Sequence, residues 1–369
     1  MFIEIDNINI KEAKLEDIAV TSILKKAKIT NDTVPFTYQH KDNIEKLLAT
    51  LALQWTNGGN FIPSPNTSFD PVLIDNFKTK SNIKVYNTCA GPNYVSQNAD
   101  VRPDNFGTHK IKDTKSKLYE DLEMFMDKPE DLASSLLDMG IKSMKIWPFD
   151  FAKGATTGLE ISNYDLKKYI QPFERIRKAH GSNIKIKAEL HGIWGLEASK
   201  KICKALEDYD MCWIEDPIWM DRLDDIPKLA MTTDQPLAGG ETLGGLGQIR
   251  QLIEISDIAY PIIDVTWGGG ITFAKKAAAL AESHMKSIAF HDCSGPITLA
   301  VSTHLALACS NVIEQEITRG FYYGWYHELV TELPIIENGM ISVSNKPGLG
   351  MDLSNNLLKK SDIIIRETI

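Results

Sequence analysis

Three glutamates stand at matched points in the second half of the chain. Glu189 closes the run Ile186-Lys187-Ala188, Glu215 closes Cys212-Trp213-Ile214, and Glu241 follows Pro236-Leu237-Ala238-Gly239-Gly240, each 26 residues after the last. A helical pattern follows each of them. Strand-then-helix units repeated in this way build a parallel sheet closed into a barrel, and residues at the C-terminal ends of its strands meet at one mouth. Three carboxylates gathered there repel one another unless a cation lies between them. Oxygen-only ligands suit Mg²⁺, which keeps positions open for substrate oxygens. The spacing therefore predicts Glu189, Glu215 and Glu241 as metal ligands; the alternative is three unrelated surface acids.

Further strand ends add ionisable groups. Asp264 closes Tyr260-Pro261-Ile262-Ile263, and His291 closes Ser287-Ile288-Ala289-Phe290. An Asp and a His on neighbouring strands can pair, the carboxylate fixing the ring and raising its basicity. His191 lies two residues after Glu189, so strand alternation points it to the same side. Lys145 and Trp147 share a face at the end of the second strand, as Glu314 and Glu316 do at the eighth. Trp147 reads as wall rather than chemistry. Cys293 and Ser294 invite a nucleophile reading, which is set aside because neither has an independent base partner.

These side chains need a scaffold, and the alternation from residue 83 onward supplies it. Strands are predicted at 83–89, 143–147, 184–189, 211–215, 236–240, 259–265, 287–291 and 311–316. Helices are predicted at 129–139, from a cap at Asn163 to His180, and at 197–208, 222–231, 246–255, 272–284 and 296–309. Eight strands are what a (β/α)₈ barrel requires. An open doubly wound sheet would need a Gly-rich phosphate turn after an early strand, and the sequence has none. Residues 91–117 read as a long loop at the barrel mouth. Residues 1–82 break the pattern, with helices expected around 11–28 and 42–55 and a Pro/Asn/Ser-rich stretch at 57–71. The expected organisation is an N-terminal capping domain (1–82), a barrel (83–334) and a C-terminal segment (335–369) that returns to the cap, the two ends forming one α+β domain.

Composition sets outer limits. The chain has 369 residues, 43% hydrophobic and 24% charged, as in an ordinary globular protein. Its net charge of −9 argues against non-specific binding to nucleic acid or to acidic membrane surfaces. No apolar run approaches a bilayer span, and Met1 to Asp6 lacks the layout of a signal peptide. Five scattered cysteines fit a reducing cytoplasm.

The set Glu189, Glu215-Asp216-Pro217, Gly240-Glu241, Asp264 and His291 resembles the enolase superfamily, and its mandelate racemase-like branch in particular. Tyr86-Asn87-Thr88-Cys89-Ala90-Gly91, Lys145-Ile146-Trp147-Pro148-Phe149-Asp150 and His291-Asp292-Cys293-Ser294-Gly295-Pro296 resemble segments of sugar-acid dehydratases in that branch. The resemblance spans about residues 83–320. It implies a capping domain on a modified barrel, three carboxylate ligands for Mg²⁺, abstraction of the proton α to a carboxylate, and a homo-oligomer. That proton is weakly acidic and its removal leaves a doubly charged enediolate, which Mg²⁺ and a cationic Lys145 can stabilise.

On this resemblance His291, oriented by Asp264, is the base. The branch's racemases carry a pattern like Lys-x-Lys at the second strand, where this chain has Trp147, which cannot exchange a proton. His191 resembles the acid of galactonate-type dehydratases, and Glu316 the eighth-strand glutamate that bonds the substrate carboxylate, with Glu314 as the near alternative. Trp147 then lines the substrate site. The expected activity is dehydration of an aldonic or aldaric acid to a 2-keto-3-deoxy acid. A racemase, epimerase or cycloisomerase is the alternative, and a non-catalytic barrel binding an acid sugar is a second one. The N-terminal region is expected to depart most from the family: about 82 residues precede the first barrel strand, and the family's usual Ala/Leu/Trp-rich helix is hard to identify among them.

Overall fold

The computed structural model describes residues 80–92, 119–255 and 257–359. The chain divides into two compact units, 1–81 and 82–369. The helices expected around 11–28 and 42–55, the stretch 57–71 and nearly all of the expected loop at 91–117 lie outside the described residues, as does the end of the tail.

Strand β1 (Ile83–Thr88) opens the second unit, followed by helices α1 (Asp121–Asp127) and α2 (Pro129–Asp138) and strand β2 (Ser143–Ile146). Helices α3 (Asn163–Tyr169) and α4 (Gln171–His180) lead to β3 (Lys185–Glu189), then α5 (Leu196–Leu206) to β4 (Trp213–Glu215). Helix α6 (Ile226–Ala230) precedes β5 (Leu237–Gly239), and α7 (Leu246–Ile255) precedes β6 (Tyr260–Ile263). Helices α8 (Val265–Gly268) and α9 (Gly270–Ser283) lead to β7 (Ile288–Phe290), and α10 (Pro296–Ala308) to β8 (Val312–Ile317).

All neighbours from β1 to β8 pair in parallel, and β8 pairs with β1, so the sheet closes into an eight-strand barrel. A hairpin of β9 (Ile335–Glu337) and β10 (Met340–Ser342) then adds antiparallel to the start of β1, with Ile341 opposite Ile83. The helices face the sheet by ordinary patterning. In α9 the buried residues are Phe273 and, at i, i+3, i+4, i+7, Ala274, Ala277, Ala278 and Ala281, the stripe of an amphipathic helix. Pro129 starts α2, where a missing N–H costs nothing.

Three local expectations need correction. The helix expected from 163 to 180 is two helices, because Pro172 has no N–H for the carbonyl of Lys168 and its ring crowds that turn. The cap is Ser162 rather than Asn163, its Oγ accepting the Asp165 N–H at 3.0 Å. Helix α1 went unpredicted. It is anchored from within, since Asp121 is fully buried and takes two bonds of 2.7 Å from Arg319, just past β8, and one of 2.9 Å from Asn87 on β1. That bidentate pair clamps α1 against the point where the barrel closes.

Inside the barrel the residues form layers. Tyr86, Trp213, Ala238, Ile262 and Ala289 fill the level below the mouth. Alanine on β5 and β7 leaves room for the rings of Tyr86 and Trp213, which meet edge to face at 5.4 Å.

Candidate active site

Glu189 and Glu215 are the last residues of β3 and β4 and lie opposite each other in register. Glu241 reaches the same place by another route. In register, Glu215 faces Ala238, three residues short of Glu241. The chain turns back through Gly239 and Gly240. Gly240 has φ +119°, and a Cβ there would come within 2.6 Å of Leu252. The equal spacing in sequence thus reflects two different local paths. All three carboxylates are buried, with oxygens within 4.8 Å of one another.

Lys145, near the end of β2, reaches into this group. Its Nζ lies 2.6 Å from Glu215 Oε1 and 2.9 Å from both Glu189 Oε2 and Glu316 Oε1. Burial pulls its pKa down, but the three carboxylates outweigh that and hold it well above the ordinary value. Glu316 also accepts the Asp292 N–H at 3.0 Å. Glu314 faces the layer below, where Lys187 Nζ lies 2.6 Å away. The register therefore puts Glu316, and not Glu314, at the mouth.

The glutamates titrate apart. Burial pushes Glu189, Glu215 and Glu241 up. Lys145 and His191 nonetheless bring Glu189 down to about 2, while burial and the Glu189 charge leave Glu215 well above its ordinary value. Glu241 is raised by burial against the opposing pull of His291. Its Oε2 is buried and accepts no hydrogen bond among the described residues, His291 Nε2 standing 3.5 Å off. A cluster of hard oxygen donors with an unsatisfied buried oxygen fits a divalent cation held by Glu189, Glu215 and Glu241.

Two histidines flank the cluster, each tied to a buried aspartate. Asp264 follows β6 and caps α8, its Oδ1 accepting the Trp267 N–H at 2.6 Å. Its Oδ2 lies 2.7 Å from His291 Nδ1, and the Trp267 ring lies 4.8 Å from that imidazole. Burial lowers the His291 pKa, but the neighbouring Cys293, Glu241 and Asp264 raise it well above the ordinary value. The Cys293 thiol is pushed up by burial, which keeps it a poor nucleophile.

His191 lies beyond the end of β3. It reaches the cavity through a left-handed turn, φ +47°, rather than through the pleat of a strand. Its N–H bonds to Glu189 Oε1 at 2.8 Å. Its Nδ1 is 2.5 Å from Asp150 Oδ2, and the Trp147 ring lies 5.5 Å away, nearly edge-on. Burial lowers its pKa, yet Asp150 and Glu189 bring it up to about 9. Asp150, in the 3₁₀ turn Pro148–Phe151, has no individual role in the sequence reading. The available signal was an acid inside the apolar run Trp147-Pro148-Phe149-Asp150-Phe151, since a buried aspartate almost always has a partner.

Lys145, Trp147, His191, Glu241 and His291 line one cavity of about 80 Å³. It is small against the roughly 300–1,000 Å³ of ligand pockets in general. Strands β3 and β7 stand four places apart in a ring of eight, so the two histidines approach from opposite sides.

Comparison with known proteins places this geometry. Residues 129–357 match the family described as enolase C-terminal domain-like. An enolase of the mandelate racemase subgroup from Agrobacterium tumefaciens is 33% identical, covering 86% of this chain and 72% of that one, with a TM-score of 0.64. An enolase from the environmental genome shotgun sequencing of the Sargasso Sea is 32% identical, covering 88% and 76%, with a TM-score of 0.67. A mandelate racemase/muconate lactonizing enzyme from Jannaschia sp. shares the fold at 22% identity, covering 90% and 78%, with a TM-score of 0.64. With a closed barrel and acids gathered at its mouth, matched over most of its length, the chain belongs to the enolase superfamily, in its mandelate racemase subgroup.

Proposed function

We propose that this enzyme is a Mg²⁺-dependent dehydratase of an acid sugar, an aldonate or aldarate, yielding a 2-keto-3-deoxy acid. The observation that carries the reading is the pair of His–Asp dyads facing one cavity from opposite sides, beside a buried carboxylate cluster and Lys145. Glu189, Glu215 and Glu241 would hold a divalent cation, which would supply positive charge to the substrate carboxylate and offset the Glu241 charge that helps keep His291 protonated.

The chain's own residues do the rest. Lys145 offers a fixed ammonium to the charge that develops as the α-proton leaves, and Glu316, beside Lys145, bonds the substrate carboxylate through one proton shared between the two carboxyl groups. Trp147 walls the cavity beside His191. His291 Nε2 takes the α-proton, with Nδ1 held by Asp264. His191, kept cationic by Asp150 and Glu189, gives its proton to the β-hydroxyl. The C–H and C–O bonds break, water departs, and the enol becomes the keto acid.

Epimerisation at the α-carbon is the second reading, and Asp150–His191 favours it. Trp147 cannot be a second base, but a dyad across from His291 can return a proton to the other face. Purified protein with Mg²⁺ and a panel of acid sugars separates the two. Dehydration gives a semicarbazide-reactive product that EDTA suppresses. Epimerisation gives an α-deuterated, inverted acid in deuterated water and no keto product. His291→Asn should abolish α-proton exchange, by about 10²–10⁴-fold; exchange that persists removes His291 as the base. No product and no exchange with any acid would leave the non-catalytic barrel.

A further inference from the structure

We propose that Asp150 is a positioning residue for His191, fixing the ring so that its Nε2 edge is the one that exchanges a proton with substrate. This rests on the reading of His191 as the acid of the elimination. His191 lines the cavity, whereas Asp150 lies wholly buried behind it, bonded to Nδ1 at 2.5 Å. The backbone of His191 is already constrained. Its own N–H bonds to Glu189 Oε1, and the N–H of Gly192 bonds to the Asp216 carbonyl at 2.8 Å. Those bonds fix where the ring begins but not how it is turned. The carboxylate of Asp150 bonds one edge of the ring and the Trp147 ring lies alongside, and both contacts act on its rotation.

The cost of Asp150 supports a functional purpose. Its Oδ1 is buried and accepts no hydrogen bond among the described residues. A buried carboxylate half satisfied in this way weakens a fold unless something else is gained. Asp264 differs, because its second oxygen caps α8 and so stabilises the fold as well as serving His291. The observed side-chain bond of Asp150 is the one to His191. Neutralising Asp150 should therefore impair the chemistry without unfolding the protein, the reverse of what a structural aspartate shows.

The test is Asp150→Asn, which keeps the shape, with three measurements on the Mg²⁺-loaded protein. Elimination should fall about tenfold to a hundredfold in kcat, a part of the roughly 10²–10⁴ that a positioned acid supplies. Exchange of the α-proton, which belongs to His291, should stay within about twofold, and the melting temperature should change little, because the amide oxygen of the variant still accepts the Nδ1–H of a neutral, partly exposed imidazole. In ¹H–¹⁵N spectra, a downfield, slowly exchanging Nδ1–H signal of wild type, assigned by its loss in His191→Gln, should move upfield in the variant. Unchanged elimination, or equal losses of elimination and exchange with a lower melting temperature, would overturn the proposal. Should wild type dehydrate none of the acids, the dehydratase reading fails by itself. The spectra then decide alone: a moved signal supports the positioning role, and an unmoved or absent one overturns it.

Discussion

Two layers of the same barrel, one pleat apart, treat charge in opposite ways. The lower layer holds Ser143, Lys187, Trp213 and Glu314; two residues further along the same strands stand Lys145, Glu189, Glu215 and Glu316. Below, one buried ammonium meets one buried carboxylate at 2.6 Å. Tyr86 and Trp213 present ring faces 4.1 and 4.4 Å from the Lys187 nitrogen, and Ser143 bonds to both charged groups. Above, Glu189, Glu215 and Glu316 share Lys145, with Glu241 gathered beside the first two. The lower layer is balanced by the protein itself, whereas the upper one gathers more carboxylates than its one lysine offsets, an excess that the proposed cation would offset. A barrel can carry such a mouth because the level beneath it is closed.

The comparison breaks most visibly at Lys187. Lys187→Met leaves Glu314 buried without its main partner, and such half-removals cost about 3–5 kcal/mol. Urea unfolding should show that loss, and the double variant Lys187→Met/Glu314→Leu should recover most of it, since an apolar pair of similar bulk can replace a buried ion pair. In the upper layer Glu215→Gln should act oppositely. Stability without divalent ions holds or rises, while the stabilisation that added Mg²⁺ gives wild type disappears. Equal destabilisation by both single variants would remove the distinction between the layers.

The layers should also differ in the sign of their pH dependence. Burial raises the Glu314 pKa, but Lys187, Lys185 and Ser143 bring it below the ordinary value. Its stabilisation is therefore full above the unfolded pKa of about 4.3 and is lost as pH falls through the lower, folded value. Glu215 is raised well above its ordinary value, first by burial and then by Glu189. It binds its proton more tightly when folded, so stability falls as pH rises from about 4.3 toward the folded pKa. Urea midpoints taken without divalent ions should show Glu215→Gln flattening the decline on the alkaline side. Glu314→Gln should flatten the loss on the acid side. Variants that change the same limb of the profile would contradict the assignment.

How far these layers were legible in the sequence follows from the kind of signal each residue gives. Strand ends bearing Glu189, Glu215, Asp264 and His291 could be read because short apolar runs end abruptly in an ionisable residue. The closed barrel followed from eight such runs. Glu314 and Glu316 have the same parity, so alternation could not rank them; depth along the barrel decided it, and depth depends on register between β8 and its neighbours. Asp150 and Asp121 were invisible for a different reason. Each is bound to a partner that lies 41 or 198 residues away, so even where an apolar run marks Asp150 as buried, no local pattern records which group it pairs with. Pro172 was plainly written, and the break it makes in the 163–180 helix was readable from its missing N–H alone.

The narrowest test addresses the join between the layers. Trp213 belongs to the lower level through its rings, yet its Nε1–H donates 2.6 Å upward to Glu215 Oε2. Lys187, lying over the same indole, therefore touches the carboxylate level through one intermediary. Trp213→Phe keeps most of the packing and removes that donor. Groups that orient a metal ligand typically matter by about 10–100-fold in affinity. Here the expected loss is near the lower end, about tenfold, because Lys145 still holds the other oxygen of Glu215 at 2.6 Å. Titration of Mg²⁺ followed by melting temperature reads it directly, with no substrate needed. Unaltered affinity beside a lowered metal-free melting temperature would make Trp213 a purely structural member of the lower layer, and the two levels would then be independent. A tenfold loss would make the closed level part of what tunes the open one.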